Sequence, residues 1–496
     1  VHIKKYFGLK HKQRRCRILV NNTNGVQFGV HNNNVENLQR AILERVYLVK
    51  GDSGFQTPPK PNAPMLKERL RKFYEHFSRK DLSTTPFTSS EFLATYWGRK
   101  RSAYERALQS LTDKIFVNSD ARLRAFVKAE KTNLSSKQNP APRVIQPRDI
   151  RFNATIGPYI KKIEYEIYHE IANIFGATTV SKGLNNRDLG NLIQQKWEKF
   201  DNPLAIGLDA SRFDQHVSVD MLRWEHSVYR LYYTHDVLFD RLLQLQILNH
   251  GVGVADDGVI HYTVEGCRMS GDMNTALGNC LIMCAMIYSY MAPKNVKYEL
   301  INNGDDCVLF LEKDAFHKLH DLSTWFHEMG FTMKIEKPVS IIEEVVFCQT
   351  QPVWDGTQYI MVRDPRIVLT KDLISFLPLS SEKDWKAQCQ AISDSGVATY
   401  GHIPILGQFY SWLDMKVKPY ANIDYFSGLH TGARGLSYGL QAPVDDCRVS
   451  FWRAFDIIPE RQIEVENYYA QCLKGSYSPG SVENSFIFNK ILPSEY

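Results

Sequence analysis

Three aspartates have the types and spacing to do chemistry. Asp209 ends the apolar run Leu204–Leu208 in "GLDASRFDQ", while Asp305 and Asp306 lie in "NNGDD" between the apolar runs Tyr298–Asn302 and Cys307–Leu311. Runs of this length read as buried strands, with Asn303-Gly304-Asp305-Asp306 as the tight turn joining two of them. If the strand ending at Asp209 lies beside that hairpin, three carboxylates converge. Such hard oxygen ligands select Mg²⁺, for which Mn²⁺ can substitute, and can hold two ions about 4 Å apart. That arrangement transfers a phosphoryl group from a nucleoside triphosphate to a hydroxyl. Asp209 and Asp305 are the bridging candidates and Asp306 the accessory ligand. Gly-Asp-Asp alone carries little, because a chain of this length shows one by chance in roughly one case in ten. Asp256-Asp257 and Asp445-Asp446 show how common the dipeptide is; the combination with Asp209 is what raises the signal.

A second constellation, "MSGDMNTALGNC", places Ser270, Gly271, Thr275 and Asn279 at the start of a long helix beginning near Thr275. Gly271 permits a mobile turn, and Thr275 and Asn279, four apart, share a helix face. Small polar groups of this kind can hydrogen-bond a ribose and distinguish a 2′-hydroxyl. A simple cap followed by a core helix would account for Ser270 and Thr275 but not for an inward Asn279.

The rest of the chain must position these groups and supply a partner surface. Its 496 residues are 44% hydrophobic and 23% charged, which fits a folded chain with a large core rather than a small module or a disordered one. Charge is uneven. Arg99 to Lys162 holds 15 Lys and Arg against 5 Asp and Glu, a local +10 in a chain of net +6. That excess favours a phosphate-rich partner. Within it, Pro140, Pro142 and Pro147 disfavour helix and predict Arg143, Arg148 and Arg151 on exposed strand or loop, with helix from Pro158 to Phe175. A shorter basic cluster spans Lys10 to Arg17. Helical patterns cover Met65 to Arg79, Ser89 to Leu111 and Val217 to Tyr233, with a linker at Gly51 to Pro64 and a hairpin at Val252 to Val264. The nine cysteines lack any CxxC pair and read as reduced thiols, with Cys280 and Cys284 packed in a core. The longest apolar run, Cys280 to Ala292, is short of the roughly 20 residues that cross a bilayer. Absence of a signal-peptide pattern at Val1 suggests an upstream piece or a longer precursor.

These residues bear a family resemblance. "DASRFD", "SGDMNTALGN" and "NNGDD" resemble motifs A, B and C of positive-strand RNA virus polymerases, in the same order and spacing. "FVKAEKTN" with "PAPRVIQPR" is similar to motif F, "MGFTMKIEK" to motif D and "VVFCQTQPV" to motif E. "GVHNNNVENLQRAILERVY", "YWGRKR" and "RVSFWRAFDIIPERQIEVE" resemble tombusvirus-type polymerases in particular. The resemblance implies an α+β closed right hand with fingers, an antiparallel palm sheet with helices, and a mostly helical thumb. On it, residues 1–50 are an extension packing on fingers and thumb, 51–202 fingers, 203–366 palm with a fingers insertion at about 223–262, and 367–496 thumb.

Template-directed RNA synthesis from ribonucleoside triphosphates follows as the expected activity. By position, Asp214, Ser270, Thr275 and Asn279 match ribose and template contacts, and Lys128, Lys131 and Arg143 match triphosphate contacts. Arg99, Lys100, Arg101, Arg148, Arg151, Gly271 and Cys348 are candidates for touching RNA, Cys348 with packing as an equal reading. Lys334 or Lys337 would be the general acid of motif D. Expected partners are template and nascent RNA, another viral replicase protein and host factors. The setting would be host cytoplasm at membrane-associated complexes, reached through a region or partner outside this chain. Two rivals remain: a reverse transcriptase-like polymerase and a non-catalytic RNA-binding scaffold. No GxxxxGK[ST] loop supports an ATP-driven helicase.

Overall fold

The computed structural model describes residues 1–6, 12–20, 28–51, 54–135, 139–377, 379, 381–419 and 432–471. Lys10, Lys137 and Cys472 lie outside the described residues. The chain is a mixed α/β structure, and a four-stranded antiparallel sheet positions the acidic residues. Its strand order is Tyr298–Asn303, Asp306–Glu312, Pro203–Ala210 and Met333–Ile335. The expected central strand and hairpin are both present, their ends shifted by one or two residues.

Alternation decides which face carries chemistry. Leu204, Ile206, Leu208 and Ala210 enter the largest core, where the helix Thr275–Met291 supplies Leu277, Cys280, Leu281 and Cys284. Ala205 faces the other way, into a second core with Ile301, Val308 and Phe310. Asp209 continues that second row. The helix Thr275–Met291 extends to Lys294 as a 20-residue segment apolar enough to cross a membrane, but 72% of its apolar window is buried in protein. Cys280 and Cys284 are fully buried there as packing groups.

A five-stranded sheet has the order His2–Lys5, Gly258–Glu265, Leu248–Ala255, Leu123–Val127 and Val144–Ile145. The helix Val35–Ile42, capped by Asn34, packs Val35, Leu38 and Ile42 against it. Arg17–Ile18 pairs with Ile374–Ser375, far from the partner of His2–Lys5. The remaining Asp pairs are structural. Asp256 and Asp257 accept backbone N–H groups of Lys12 and Val35 at 2.9 and 2.8 Å, and Asp445 and Asp446 occupy the first turn of a helix, where its dipole favours acids.

Several sequence expectations need correction. The helix expected from Pro158 begins at Ile150, with Asp149 as its cap and Pro158 inside. The missing proline N–H costs one internal bond, which the packing of Phe152, Ile156, Ile160 and Ile163 offsets. The segment Ser89 to Leu111 is two helices, Ser89–Ala94 and Gly98–Asp113, because Gly98 lies at φ +56°. The helix expected over Val217 to Tyr233 spans Val219–Arg230, starting where the Ser218 side chain caps it. The expected linker contains Gly54–Gln56, a strand paired with Val49–Gly51.

Candidate active site

The sheet register brings the acids together. Asp209 is directly opposite Asp306 on one neighbour and Lys334 on the other, so their side chains share one face at its edge. Lys337 lies beyond that strand. Asp305 is in a two-residue turn whose Gly304 sits at φ +80°, a conformation that favours glycine. The buried Asn302 side chain braces this turn, donating to the Gly304 carbonyl at 2.7 Å and accepting the Gly304 N–H at 3.2 Å.

Asp305 and Asp306 are reachable by solvent yet hemmed in by protein. Burial, reinforced by the charge of Asp305, pushes Asp306 up to about 6. Burial also raises Asp305, with Asp209 adding to the effect. Like charges crowded in a partly desolvated recess are the electrostatic signature of a cation site. The donor set suits a hard divalent ion, although among the described residues no three His, Cys, Asp or Glu side chains form a ready-made cluster.

Beside the acids, the expected inward Asn279 is present. It is 7% exposed and its Nδ2 donates to Asp214 Oδ1 at 2.8 Å. Burial raises the Asp214 carboxyl, and the Asn279 bond opposes that rise. Thr275 Oγ1 lies 2.7 Å from the Met269 carbonyl and 2.9 Å from that of Asp272, so its hydroxyl proton ties the loop to the helix. Ser270 Oγ accepts the Gln146 N–H at 3.3 Å. Gly271 lies against the same segment, where a Cβ would come within 2.4 Å of Pro147 Cα. Gly271→Ala is therefore expected to push this loop off its backbone neighbour. The expected cost is about 1–3 kcal/mol in thermal or denaturant unfolding, with nucleotide incorporation reduced in the same preparation.

The basic residues divide. Arg143 is exposed, and its charge is near enough to oppose slightly the burial-driven rise of Asp214 and Asp305. Lys128 and Arg143 share the Glu130 carboxylate at 3.5 and 3.3 Å. Lys131 turns elsewhere, donating to the Lys371 carbonyl at 3.0 Å, and burial lowers its pKa. It lines a cavity of about 780 Å³ with Asn303, Cys348, Arg363 and Lys371. Cys348 receives the Asn303 amide at 3.1 Å and reaches Asp306, so it touches the acidic turn rather than serving only as core filler.

Arg99, Lys100 and Arg101 are exposed on the helix Gly98–Asp113, with Lys100 lying 5.0 Å over the Tyr96 ring. Two expected exposed arginines are not so. Arg148 is 4% exposed, paired with Asp272 at 2.5 Å and bonded to Asn249 and the Ala121 carbonyl. Arg151 lies in a helix and donates to the carbonyls of Ser110, Lys114 and Ile115. Their chain neighbours' prolines set the local backbone, but unpaired acids and carbonyls nearby claimed the guanidiniums.

Sequence reasoning missed Asn302 and Lys182. The segment before Lys182 is held beside the turn by Ser181 N–H donating to the Asn302 carbonyl at 2.9 Å. From there the Lys182 charge lowers Asp305. A single lysine in "TTVSKGLNN" carried no signal of that proximity.

Comparison with known proteins identifies the family. A family described as viral RNA dependent RNA polymerase matches residues 2–473. The RNA-directed RNA polymerase of Tobacco necrosis virus (strain A) is 43% identical over 447 residues, 89% of this chain and 62% of that protein. That of Turnip crinkle virus is 41% identical over 467 residues, covering 92% and 60%. That of Maize chlorotic mottle virus is 39% identical over 466 residues, covering 93% and 48%. The chain thus spans less than two thirds of the length of these curated relatives. A match that runs through every motif of the site leaves one assignment: the chain belongs to the viral RNA-dependent RNA polymerase family, among its tombusvirus-like members.

Proposed function

We propose that this chain copies an RNA template into RNA from ribonucleoside triphosphates by two-metal-ion phosphoryl transfer. The observation that carries the reading is the register of Asp209 against Asp306, with Asp305 in the adjoining turn and the Asp214–Asn279 pair beside it. Asp209 and Asp305 would bridge two Mg²⁺ ions, with Asp306 as supporting ligand. When bound, such ions lower the pKa of the attacking 3′-hydroxyl and neutralise charge on the departing pyrophosphate. Arg143 and Lys128, which share the Glu130 carboxylate here, would contact the triphosphate. Lys334, on the sheet face of Asp209, is the better placed of the two lysines to protonate a leaving group. Asp214 and Asn279 read the ribose.

The proposal includes a closed right hand with the boundaries expected from the sequence. Supporting closure, the N-terminal residues pair with Gly258–Glu265 through His2–Lys5 and with Ile374–Ser375 through Arg17–Ile18, bridging the expected fingers and thumb. It extends to template and nascent RNA, another replicase protein and host factors as partners. The setting is host cytoplasm, at membrane complexes reached through a region or partner outside this chain.

The deciding experiment is incorporation of labelled nucleotides on a defined single-stranded RNA in Mg²⁺, with and without a primer. Ribonucleotide incorporation is expected; preference for deoxynucleotides would favour a reverse transcriptase, and RNA binding without incorporation a scaffold. Exposed cations predict a salt response. The slope of log affinity against log salt should be about −0.7 per neutralised phosphate, and Arg99→Ala, at an exposed candidate RNA contact, should reduce it by about one contact's worth. A slope unchanged in Arg99→Ala would remove that residue from the RNA-phosphate surface.

A further inference from the structure

Behind the pair that reads the ribose lies a charged layer to which no role has been assigned. Arg268 is 2% exposed and Glu225 is fully buried. They form a two-pronged ion pair through both terminal guanidinium nitrogens. Charges at such depth are costly unless paired and hydrogen-bonded, and here each satisfies the other. The third guanidinium nitrogen, Arg268 Nε, donates to Asn279 Oδ1 at 3.1 Å.

That contact settles a chemical ambiguity. A guanidinium can only donate, so the Asn279 carbonyl oxygen must face Arg268 and its NH₂ must face Asp214. Asp214 Oδ1 is thereby engaged at 2.8 Å, and the other carboxylate oxygen remains to accept a sugar hydroxyl. Without Arg268 the amide is free to turn, presenting oxygen to carboxylate and repelling it. The Arg268 backbone N–H also donates to the Asp214 carbonyl at 2.8 Å, so one residue holds both members of the pair.

Glu225 is held in turn. Its Oε1 accepts from Tyr229 at 2.8 Å and from Asn274 at 2.9 Å, and Gln246 donates to Asn274 at 2.8 Å. The helix carrying Asn279 accommodates the ion pair because residue 278 is glycine. A Cβ there would lie 2.3 Å from Arg268 Nη2 and 2.5 Å from Glu225 Oε1.

We propose that the buried Arg268–Glu225 pair is a positioning device for sugar selection, fixing the Asn279 amide so that Asp214 presents one free oxygen to the 2′-hydroxyl. The inference rests on the polymerase reading above. Neither residue touches substrate; both act through Asn279.

The test measures kcat/KM for CTP and dCTP in single-nucleotide incorporation by the purified chain on a primed single-stranded RNA. The variants are Arg268→Lys, which keeps the charge but loses the fork, and the double change Arg268→Met with Glu225→Met, which leaves neither ion of the pair orphaned. Leu281→Ala, a cavity in the same helix that leaves the network whole, controls for loosened packing. The CTP preference is expected to fall about 10- to 100-fold in the network variants, the worth of one hydrogen bond to a charged group. The dCTP value should stay within about twofold, and Leu281→Ala should keep the wild-type preference. Should Arg268→Lys fail to fold, as judged by its melting transition, the double variant carries the test. Equal losses on both nucleotides, or a preserved preference in folded variants, would overturn the inference alone. A wild-type chain that incorporates neither nucleotide would overturn the polymerase reading and this inference with it.

Discussion

Asp305→Ala is expected to reduce nucleotide incorporation in Mg²⁺ by roughly 10²–10³-fold or more, the scale on which removal of one charge-stabilising group acts. Asp305 stands in the turn beside Asp306, and Asp306 stands opposite Asp209. Without Asp305, only Asp209 and Asp306 would remain to hold the two proposed ions. Binding of single-stranded RNA should survive, because phosphate contacts would come from exposed cations such as Arg99 and Arg101 rather than from the acids. Stability supplies a second readout. Asp305 helps raise its neighbour Asp306, which means that the two repel in the metal-free protein. Removing one charge relieves that repulsion, so the melting temperature of the variant without divalent ions should equal or exceed that of the wild type. Single-turnover incorporation, fluorescence anisotropy on a labelled RNA and thermal unfolding in EDTA measure the three quantities. Unchanged incorporation would remove Asp305 from the metal site, whereas loss of activity accompanied by a lower melting temperature would point to misfolding instead.

Arg148→Ala should do the reverse, leaving no specific mark on RNA affinity but destabilising the protein by about 3–5 kcal/mol, the cost of orphaning one partner of a buried ion pair. Asp272 would be left without its partner at 8% exposure, and the Ala121 carbonyl and Asn249 would each lose a donor. Asp272 neighbours Gly271 and accepts from Thr275 through its carbonyl, so the damage lies in the loop that precedes the helix Thr275–Met291. Urea unfolding reports the loss. Titration of RNA at several salt concentrations separates this role from a template contact, which would shorten the salt slope by about one while leaving stability intact. The paired change of Arg148 and Asp272 to apolar residues of similar volume should recover much of the stability, since a buried pair contributes little net energy once both charges are gone.

The acidic site was legible because alternation and turn chemistry are local. An apolar run ending in Asp209, and two more separated by Asn-Gly-Asp-Asp, carry their register in the sequence, and Asn279 betrayed itself as a polar group on a helix otherwise destined for the core. The basic segment was legible as a total but not residue by residue. Arg143, Arg148 and Arg151 look alike along the chain, yet only Arg143 is exposed. Arg148 meets Asp272, which is 124 residues away, and no local pattern foretells that distance. The same reason hides Asn302, Lys182 and the Arg268–Glu225 pair. Each acquires its meaning from a neighbour supplied by another strand or helix. Pro158 misled in the opposite direction, since tertiary burial of a long apolar face overrides the loss of one helical hydrogen bond.

The pairing of Arg17–Ile18 with Ile374–Ser375 also sets a timetable for biosynthesis. These strands are more than 350 residues apart, and the contact is secured by Leu19 N–H to the Leu373 carbonyl and Arg17 to the Leu377 carbonyl, both at 2.8 Å. A growing chain cannot form it until residue 377 has left the ribosome, roughly 20–70 s after residue 17 at ordinary elongation rates. During that interval the N-terminal strand waits with its hydrogen-bonding edge open, while the sheet containing Asp209 and Asp306 can already assemble. Closing so large a loop is entropically slow and rewarded late. The row of acids can therefore reach its register once residue 335 has emerged, whereas the N-terminal tie must wait for residue 377.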